Sequence, residues 1–124
     1  MNSSMLSRTM FAISALVWSV TILFVPDWWD SPAFSSMGLT DWMAGLLWGL
    51  SALLLGWSFR SPQATITVAG LSLYAVPTVS AGCSIVWWTL LENNVAAMGS
   101  AVAWLTLGVT AMARAIHTSR SGVA

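Results

Sequence analysis

The stretch DWMAGLLWGLSALLLGWSFR, residues 41–60, decides the fold. Eighteen uncharged residues separate Asp41 from Arg60, and at about 1.5 Å of rise per residue they make a helix of roughly 27 Å, close to the ~30 Å hydrocarbon core of a bilayer. Small residues recur along one side of this helix at spacings of four, three and four: Gly45, Gly49, Ala52 and Gly56. Because such a side is nearly bare backbone, a second helix can pack closely against it. The stretch therefore predicts a transmembrane helix with a small-residue seam.

The composition of the whole chain agrees with a membrane location. Of its 124 residues, 57% are hydrophobic and only 6% are charged, against about 25% charged residues in soluble domains. The formal net charge of zero leaves no basic surface for phosphate contacts, so nucleic-acid binding is not expected. The one cysteine, Cys83, has no second cysteine for a disulfide and no companions at metal-ligand spacing. We expect an all-α integral membrane protein with no cofactor and no metal site.

Apolar runs bounded by charges or proline predict four transmembrane helices in one membrane domain, residues 1–124. The spans are expected at about 9–25, 42–59, 63–79 and 94–116, with 117–124 as a cytoplasmic tail. The first run is interpreted as a retained span and not as a cleaved signal peptide. The segment that follows it, Pro26-Asp27-Trp28-Trp29, lacks the small residues that a signal peptidase requires.

The charged residues sort to opposite helix ends. One set of ends carries Arg8, Arg60, Arg114 and Arg120, and the other carries Asp27, Asp30, Asp41 and Glu92. By the positive-inside rule, the arginine ends and both termini are expected to be cytoplasmic, in what we expect to be a bacterial inner membrane. Asp41 and Glu92 are expected near helix N-termini, where a carboxylate meets the positive end of the helix dipole.

The tryptophans fall into two groups. Those at the ends of the predicted spans are expected to anchor the helices at the membrane interfaces: Trp28, Trp29, Trp42, Trp57, Trp87 and Trp88. Trp18, Trp48 and Trp104 lie in the middle of spans instead. We expect Trp48 and Trp104 to pack in the bundle; lining a pore or facing lipid are the alternatives.

The third apolar run, residues 64–91, is longer than a bilayer requires and contains Pro77. One interpretation is a helix that ends near Pro77, as the first ends near Pro26, followed by an outer segment. Steps of eighteen and seventeen residues lead from Arg8 to Pro26 and from Arg60 to Pro77. The chain then reads as a tandem repeat of about 51 residues, each unit a helical hairpin. The other interpretation is one helix over 63–91 that is kinked at Pro77. The sequence leaves both interpretations open.

The segments GLSLYAVP, residues 70–77, and ENNVAAMG, residues 92–99, resemble the SPW-repeat membrane proteins. The repeat unit of that family is a Gly-Leu-rich helix closing in Ser-Pro-Trp, followed by a helix opening in Trp-Asn. Residues 25–28 and 40–42 would belong to the first copy, although neither copy contains the Ser-Pro-Trp triplet. The resemblance implies an architecture of two helical hairpins and no particular activity.

The fourth span repeats the small-residue seam of the second. Its seam comprises Ala97, Ala101, Trp104 and Gly108, and small residues continue it at Ala111 and Ala115. Since the second and fourth helices both carry such a seam, we expect these two helices to pack seam to seam. Asn93 and Asn94 are expected to begin the fourth helix.

These features favour a non-enzymatic membrane protein that acts through helix–helix packing, as an accessory subunit or a self-associating bundle. Its expected partners are the lipid bilayer and either further copies of the chain or other membrane subunits. The alternatives are a holin-like pore-forming protein, of bacterial or phage origin, and a small channel or transporter along the hydroxyl-rich third span. An enzyme is not expected, because His117, Cys83 and four interfacial acids do not assemble a catalytic set.

Overall fold

In a computed structural model the chain forms four α-helices, and the structure describes residues 3–25, 40–61, 63–93 and 97–122. The helices are α1 (Ser3–Phe24), α2 (Asp41–Trp57), α3 (Ala64–Glu92) and α4 (Met98–Ser121). Helices that are consecutive in the chain lie side by side, so that α1 packs on α2, α2 on α3 and α3 on α4. Each runs antiparallel to the one before it. The described part of the chain is thus all-helical, as expected.

Three of the helices are long and apolar enough to cross a membrane: Met5–Phe24, Ala64–Glu92 and Met98–Ser121. The length and composition of these helices indicate a membrane protein. The remaining helix, α2, has 17 residues and a length of about 26 Å. That α2 also spans the bilayer remains a prediction.

The third helix continues through Pro77 without a break. It has 29 residues, from Ala64 to Glu92, and Pro77 is fully buried within it. Next to the proline, the hydroxyl of Thr78 donates a 2.7 Å hydrogen bond to the carbonyl of Tyr74. The structure agrees with the second interpretation of this run, a single helix that continues through Pro77. Pro26 lies outside the described residues.

The end of α3 corrects two expectations about the fourth helix. Glu92 is the last residue of α3, and Asn93 follows with a left-handed φ of 54°. The backbone N–H of Asn93 bonds to the carbonyl of Thr89, which closes the last turn of α3. Asparagine tolerates this conformation better than most residues, and so it stops the helix here. Glu92 and Asn93 therefore end α3 instead of beginning α4, and Asn94 lies outside the described residues.

The other helix ends differ less from expectation. At the start of α2 a carboxylate oxygen of Asp41 accepts a 2.8 Å hydrogen bond from the backbone N–H of Trp42, which satisfies one of the free donors at a helix start. α4 runs to Ser121 and ends at Gly122, whose φ is 69°. Residues 117–121, expected in the tail, are thus helical.

The small-residue seams pack against the preceding helix, and not against each other. In α2, a Cβ on Gly45 would lie 2.9 Å from Cγ2 of Ile22 in α1, and Gly49 faces the hydroxyl of Ser19. In α4, a Cβ on Gly108 would collide with the side chain of Val79 in α3. The expected pairing of α2 with α4 is therefore wrong. The physical reason is that the buried glycines of the two seams, Gly45 and Gly108, already pack against the preceding helix of the chain.

Serine hydroxyls hold neighbouring helices together at these close approaches. Ser19 in α1 donates a 2.9 Å hydrogen bond to the carbonyl of Gly45 in α2. Ser51 in α2 donates a 2.7 Å hydrogen bond to the carbonyl of Gly70 in α3. A helical carbonyl is accessible to a hydroxyl only where small residues let the two backbones approach. Such bonds contribute about 0.6 kcal/mol each between membrane helices.

We predict that Gly108→Ala destabilises the bundle, whereas Gly56→Ala does not. The added methyl at Gly108 meets Val79, including its backbone N at 3.3 Å, while nothing lies within 4 Å of a Cβ on Gly56. Overpacking of this kind costs about 1–3 kcal/mol. The measurement is the free energy of unfolding in mixed micelles, followed by tryptophan fluorescence. Equal stability of the two variants would contradict the close α3–α4 contact.

Candidate functional site

Three tryptophan rings from three helices meet in the middle of the bundle. The Trp18 ring of α1 lies 4.8 Å from that of Trp104 in α4 and 6.2 Å from that of Trp48 in α2, measured between ring centroids. The rings of Trp48 and Trp104 are 6.0 Å apart. Trp48 has no exposed surface and Trp104 is 8% exposed. These separations lie in the range of favourable aromatic contacts, so we treat the three rings as one unit, the tryptophan cluster.

Polar groups of α3 support this cluster. The indole Nε1 of Trp48 donates a 3.2 Å hydrogen bond to the hydroxyl of Thr78. One turn away, the buried hydroxyl of Tyr74 shares a 2.8 Å hydrogen bond with the hydroxyl of Ser14 in α1. The ring of Phe11 packs edge-on against that of Tyr74, with centroids 5.0 Å apart. The cluster and its supports thus join all four helices.

The middle of the bundle is filled. Trp48 and Tyr74 are its largest fully buried side chains, and Thr78 is fully buried beside them. The hydroxyls of Thr78 and Tyr74 are both hydrogen-bonded to protein groups. In the described part of the chain, rings therefore occupy the place where a polar path through a single bundle would run. The expectation that Trp48 and Trp104 pack in the bundle is met by this geometry, and Trp18 packs with them.

A second cluster lies where α1 begins and α2 ends, around Arg8. Nη1 of Arg8 donates to the backbone carbonyl of Ser58 at 3.1 Å and to its hydroxyl at 3.2 Å. The guanidinium carbon lies 4.7 Å from the centroid of the Phe59 ring, a cation–π distance. Arg8 is only 9% exposed. From the sequence, Arg8 was interpreted only as a signal for membrane topology. Its contact with the end of α2 could not be predicted, because Ser58 lies fifty residues away in the chain.

Arg8 has no carboxylate partner among the described residues. Its Nε is buried and has no hydrogen-bond partner there. The acids of the described ranges, Asp41 and Glu92, stand at the opposite helix ends. Carbonyl and ring contacts therefore stabilise this buried cation in place of a counter-charge.

Comparison with models of known protein families, with curated proteins and with solved structures finds no match. The function is therefore inferred from the geometry of the bundle alone. Among residues 3–25, 40–61, 63–93 and 97–122, no three His, Cys, Asp or Glu side chains lie close enough to hold a metal ion. His117 is exposed on α4, and Cys83 is partly exposed on α3.

The residues predicted as interface anchors lie on the outside of the bundle where the structure describes them. Trp42, Trp57 and Trp87 are each more than half exposed, and Trp88 is partly exposed. Trp28 and Trp29 lie outside the described residues. Anchoring itself remains a prediction, but these rings are placed to reach the lipid interfaces.

The predicted packing residues are divided between buried contacts and the surface. Ala101, Trp104 and Gly108 are buried along α4, and Gly45 is buried against α1. Gly49 and Ala52 line an outer groove between α1 and α2. Gly56 is exposed, and Ala97 is partly buried at the start of α4. The α2 seam is therefore used inside the chain at Gly45 and left open toward Gly56.

We predict that Trp104→Ala strongly destabilises the bundle and that Trp57→Ala does not. Trp104 contacts both other rings of the cluster, and removing a buried tryptophan costs about 3–5 kcal/mol. Trp57 is 58% exposed. Unfolding in mixed micelles gives the stability, and near-UV circular dichroism reports the ring packing. A near-UV spectrum unchanged in Trp104→Ala would refute the cluster.

We predict that Arg8→Ala lowers the free energy of unfolding by about 1.5–3 kcal/mol, the range for hydrogen bonds to charged groups. The variant leaves the carbonyl and hydroxyl of Ser58 without their donor. The matched control is Arg60→Ala, which removes the same charge from an exposed position and should change stability by less than about 0.5 kcal/mol. Similar losses in both variants would mean that charge alone, and not the buried contact, matters.

Proposed function

We propose that this is a non-enzymatic membrane protein of four spans that acts through helix packing, as an accessory subunit or a self-associating bundle. The observation that carries the proposal is the filled middle of the bundle. Because the tryptophan cluster and Tyr74 occupy the interior, the outer surface is what remains available for function. That surface is largely apolar, and it is suited to other helices within the bilayer.

The groove between α1 and α2 has the small-residue lining that a partner helix needs for close approach. It has a volume of about 290 Å³ and is lined by Ala12, Ile13, Leu16, Gly49, Ala52 and Leu53. Small residues provide its floor, while Ile13, Leu16 and Leu53 provide its walls. Packing against small residues is the main source of helix association in membranes, since burial from lipid supplies no hydrophobic driving force. A bulky apolar side chain of a neighbouring helix fits such a groove.

The proposed topology rests on the arrangement of the arginines. Arg8 contacts Ser58, so the start of α1 and the end of α2 lie at one end of the bundle. Arg120 lines a groove with Val68, which places the end of α4 beside the start of α3. We call this the arginine end and propose that it is cytoplasmic, in a bacterial inner membrane. An SPW-like pair of helical hairpins is compatible with this order of helices.

A pore through one chain is disfavoured by the same filled interior. A holin-like protein would have to form its pore between several chains, and a channel along α3 would need hydroxyls free to face a path. On α3 the hydroxyl of Thr78 bonds to a backbone carbonyl instead, and the hydroxyls of Thr67 and Thr89 are buried without a hydrogen-bond partner among the described residues. Pore formation is therefore the alternative outcome of the experiment below.

Disulfide cross-linking in native membranes tests the proposal. In a Cys83→Ala background, Leu53→Cys places a thiol at the α1–α2 groove. Val109→Cys places one in an opening on the outer face of α4 that has no glycine or alanine in its lining. The two positions are similarly exposed, 71% and 60%. We expect Leu53→Cys to cross-link to a second copy or to a partner protein much more efficiently than Val109→Cys.

Two results would count against this function. One is a strictly monomeric protein, by cross-linking at both positions and by native mass spectrometry, with nothing co-purifying in mild detergent. The other is a collapse of membrane potential on induced expression of the unmodified chain, which would support the pore-forming alternative. Intact potential together with cross-linking through Leu53→Cys would support the packing role.

A further inference from the structure

We propose that a groove between α3 and α4, at the arginine end of the bundle, binds an anionic phospholipid. This goes beyond the packing role: it requires that α3 and α4 lie in a bilayer, but not that the α1–α2 groove has a partner. The site lies on the side of the bundle formed by the last two helices.

The groove consists of two adjoining openings that share Ser72 and Met112. The one nearer the helix ends has a volume of about 320 Å³ and is lined by Val68, Ser72, Met112, Ala115, Ile116, Ser119 and Arg120. The one nearer the bundle middle has a volume of about 340 Å³ and is lined by Ser72, Ala75, Val76, Val79 and Met112. Together they form the lipid groove.

The length of the lipid groove suits one leaflet. Along α3 it extends from Val68 to Val79, eleven residues or roughly 17 Å of helix. Half of a ~30 Å hydrocarbon core is about 15 Å. An acyl chain lying in the groove would therefore reach from the membrane surface to about the middle of the bilayer.

The lining changes from apolar to polar along this length. Ala75, Val76 and Val79 line the inner part, whereas Ser119 and Arg120 line the mouth. A ligand that fits both parts has an apolar tail and a polar head. Since the cation stands at the mouth, the head that complements it carries negative charge.

The charge balance of the arginine end also favours an anionic head. Arg8, Arg60, Arg114 and Arg120 belong to this end, and the described residues here include no carboxylate. Asp41 and Glu92 lie at the opposite ends of their helices, and Asp27 and Asp30 lie outside the described residues. The positive charge at this surface therefore favours anionic lipid, and Arg120, the arginine that lines the groove, contributes about 1 kcal/mol to binding at this site.

A second copy of the chain is the less favourable occupant of the lipid groove. A copy docked in this groove would bring its own arginine end against Arg120 at the mouth, and the like charges would repel. A phospholipid brings the opposite charge to the same place. No arginine lines the α1–α2 groove, so the same repulsion does not oppose packing there.

Native mass spectrometry of the full chain tests the proposal, in detergent micelles containing equal amounts of phosphatidylglycerol and phosphatidylcholine. We expect the protein to retain phosphatidylglycerol about fivefold more than phosphatidylcholine. Arg120→Gln should abolish this preference. Arg60→Gln makes the same charge change at the same end, but Arg60 does not line the groove; it should keep the preference.

A second pair of variants tests the groove without changing charge. Ser72→Phe fills the junction of the two openings and should reduce retention of both lipids severalfold. Leu50→Phe enlarges an exposed side chain on α2 and should not. Near-UV circular dichroism checks that the tryptophan cluster is intact in each variant. If Ser72→Phe or Arg120→Gln does not fold, the other variant and the lipid preference of the unmodified protein decide the question.

Several results would overturn the lipid site. They are equal retention of the two lipids, equal effects of Arg120→Gln and Arg60→Gln, and full retention in Ser72→Phe. Displacement of the lipid by an equal concentration of inorganic phosphate would show that only an anion binds. Cross-linking of Met112→Cys to a second copy, in the Cys83→Ala background, would assign the groove to a chain instead. Since the packing role is tested at Leu53, either proposal can fail while the other stands.

Discussion

The structure depends on packing three indole rings at the centre of the bundle while neighbouring helices stay in close contact elsewhere. Trp18, Trp48 and Trp104 take up the space between α4 and the pair formed by α1 and α2. The glycines do the opposite: Gly45 and Gly108 bring consecutive helices together. Large residues thus fill the centre and small residues line the edges of the same bundle. Because helices in lipid associate by packing and not by escape from water, this complementarity is the main stabilising contribution.

Hydrogen bonds in the bundle follow from that packing. Ser19 and Ser51 reach carbonyls of the adjacent helix because glycine lies at the contact. The indole of Trp48 finds the hydroxyl of Thr78 because Pro77 is accommodated within a continuous α3. A polar group without a partner is expensive in a medium that excludes water. The polar side chains therefore act together with the seams, and their positions depend on the helix pairing.

The sequence was sufficient to predict where the helices lie in the chain, but not which helices pack together. Apolar runs and charges located three candidate spans and the position of α2, and mid-span placement indicated packed tryptophans. The predicted packing of α2 against α4 was wrong. A small-residue pattern shows that another helix can approach closely, but it does not show which helix does so. Helix termination at Asn93 was missed because it depends on one left-handed residue. The contact between Arg8 and Ser58 was beyond local patterns altogether, since it joins residues far apart in the chain.

The unbroken length of α3 has a consequence for the surrounding membrane. Its 29 residues measure roughly 44 Å along the helix axis, and at a typical tilt of about 20° the helix still exceeds the hydrocarbon thickness by some 10 Å. The final turns, with Trp87 half exposed and Glu92 at the tip, must then project from the bilayer, or the lipids around them must stretch. This hydrophobic mismatch is confined to one side of the bundle. It would make the protein sensitive to bilayer thickness, and a thicker bilayer would hold α3 with less distortion of the lipids.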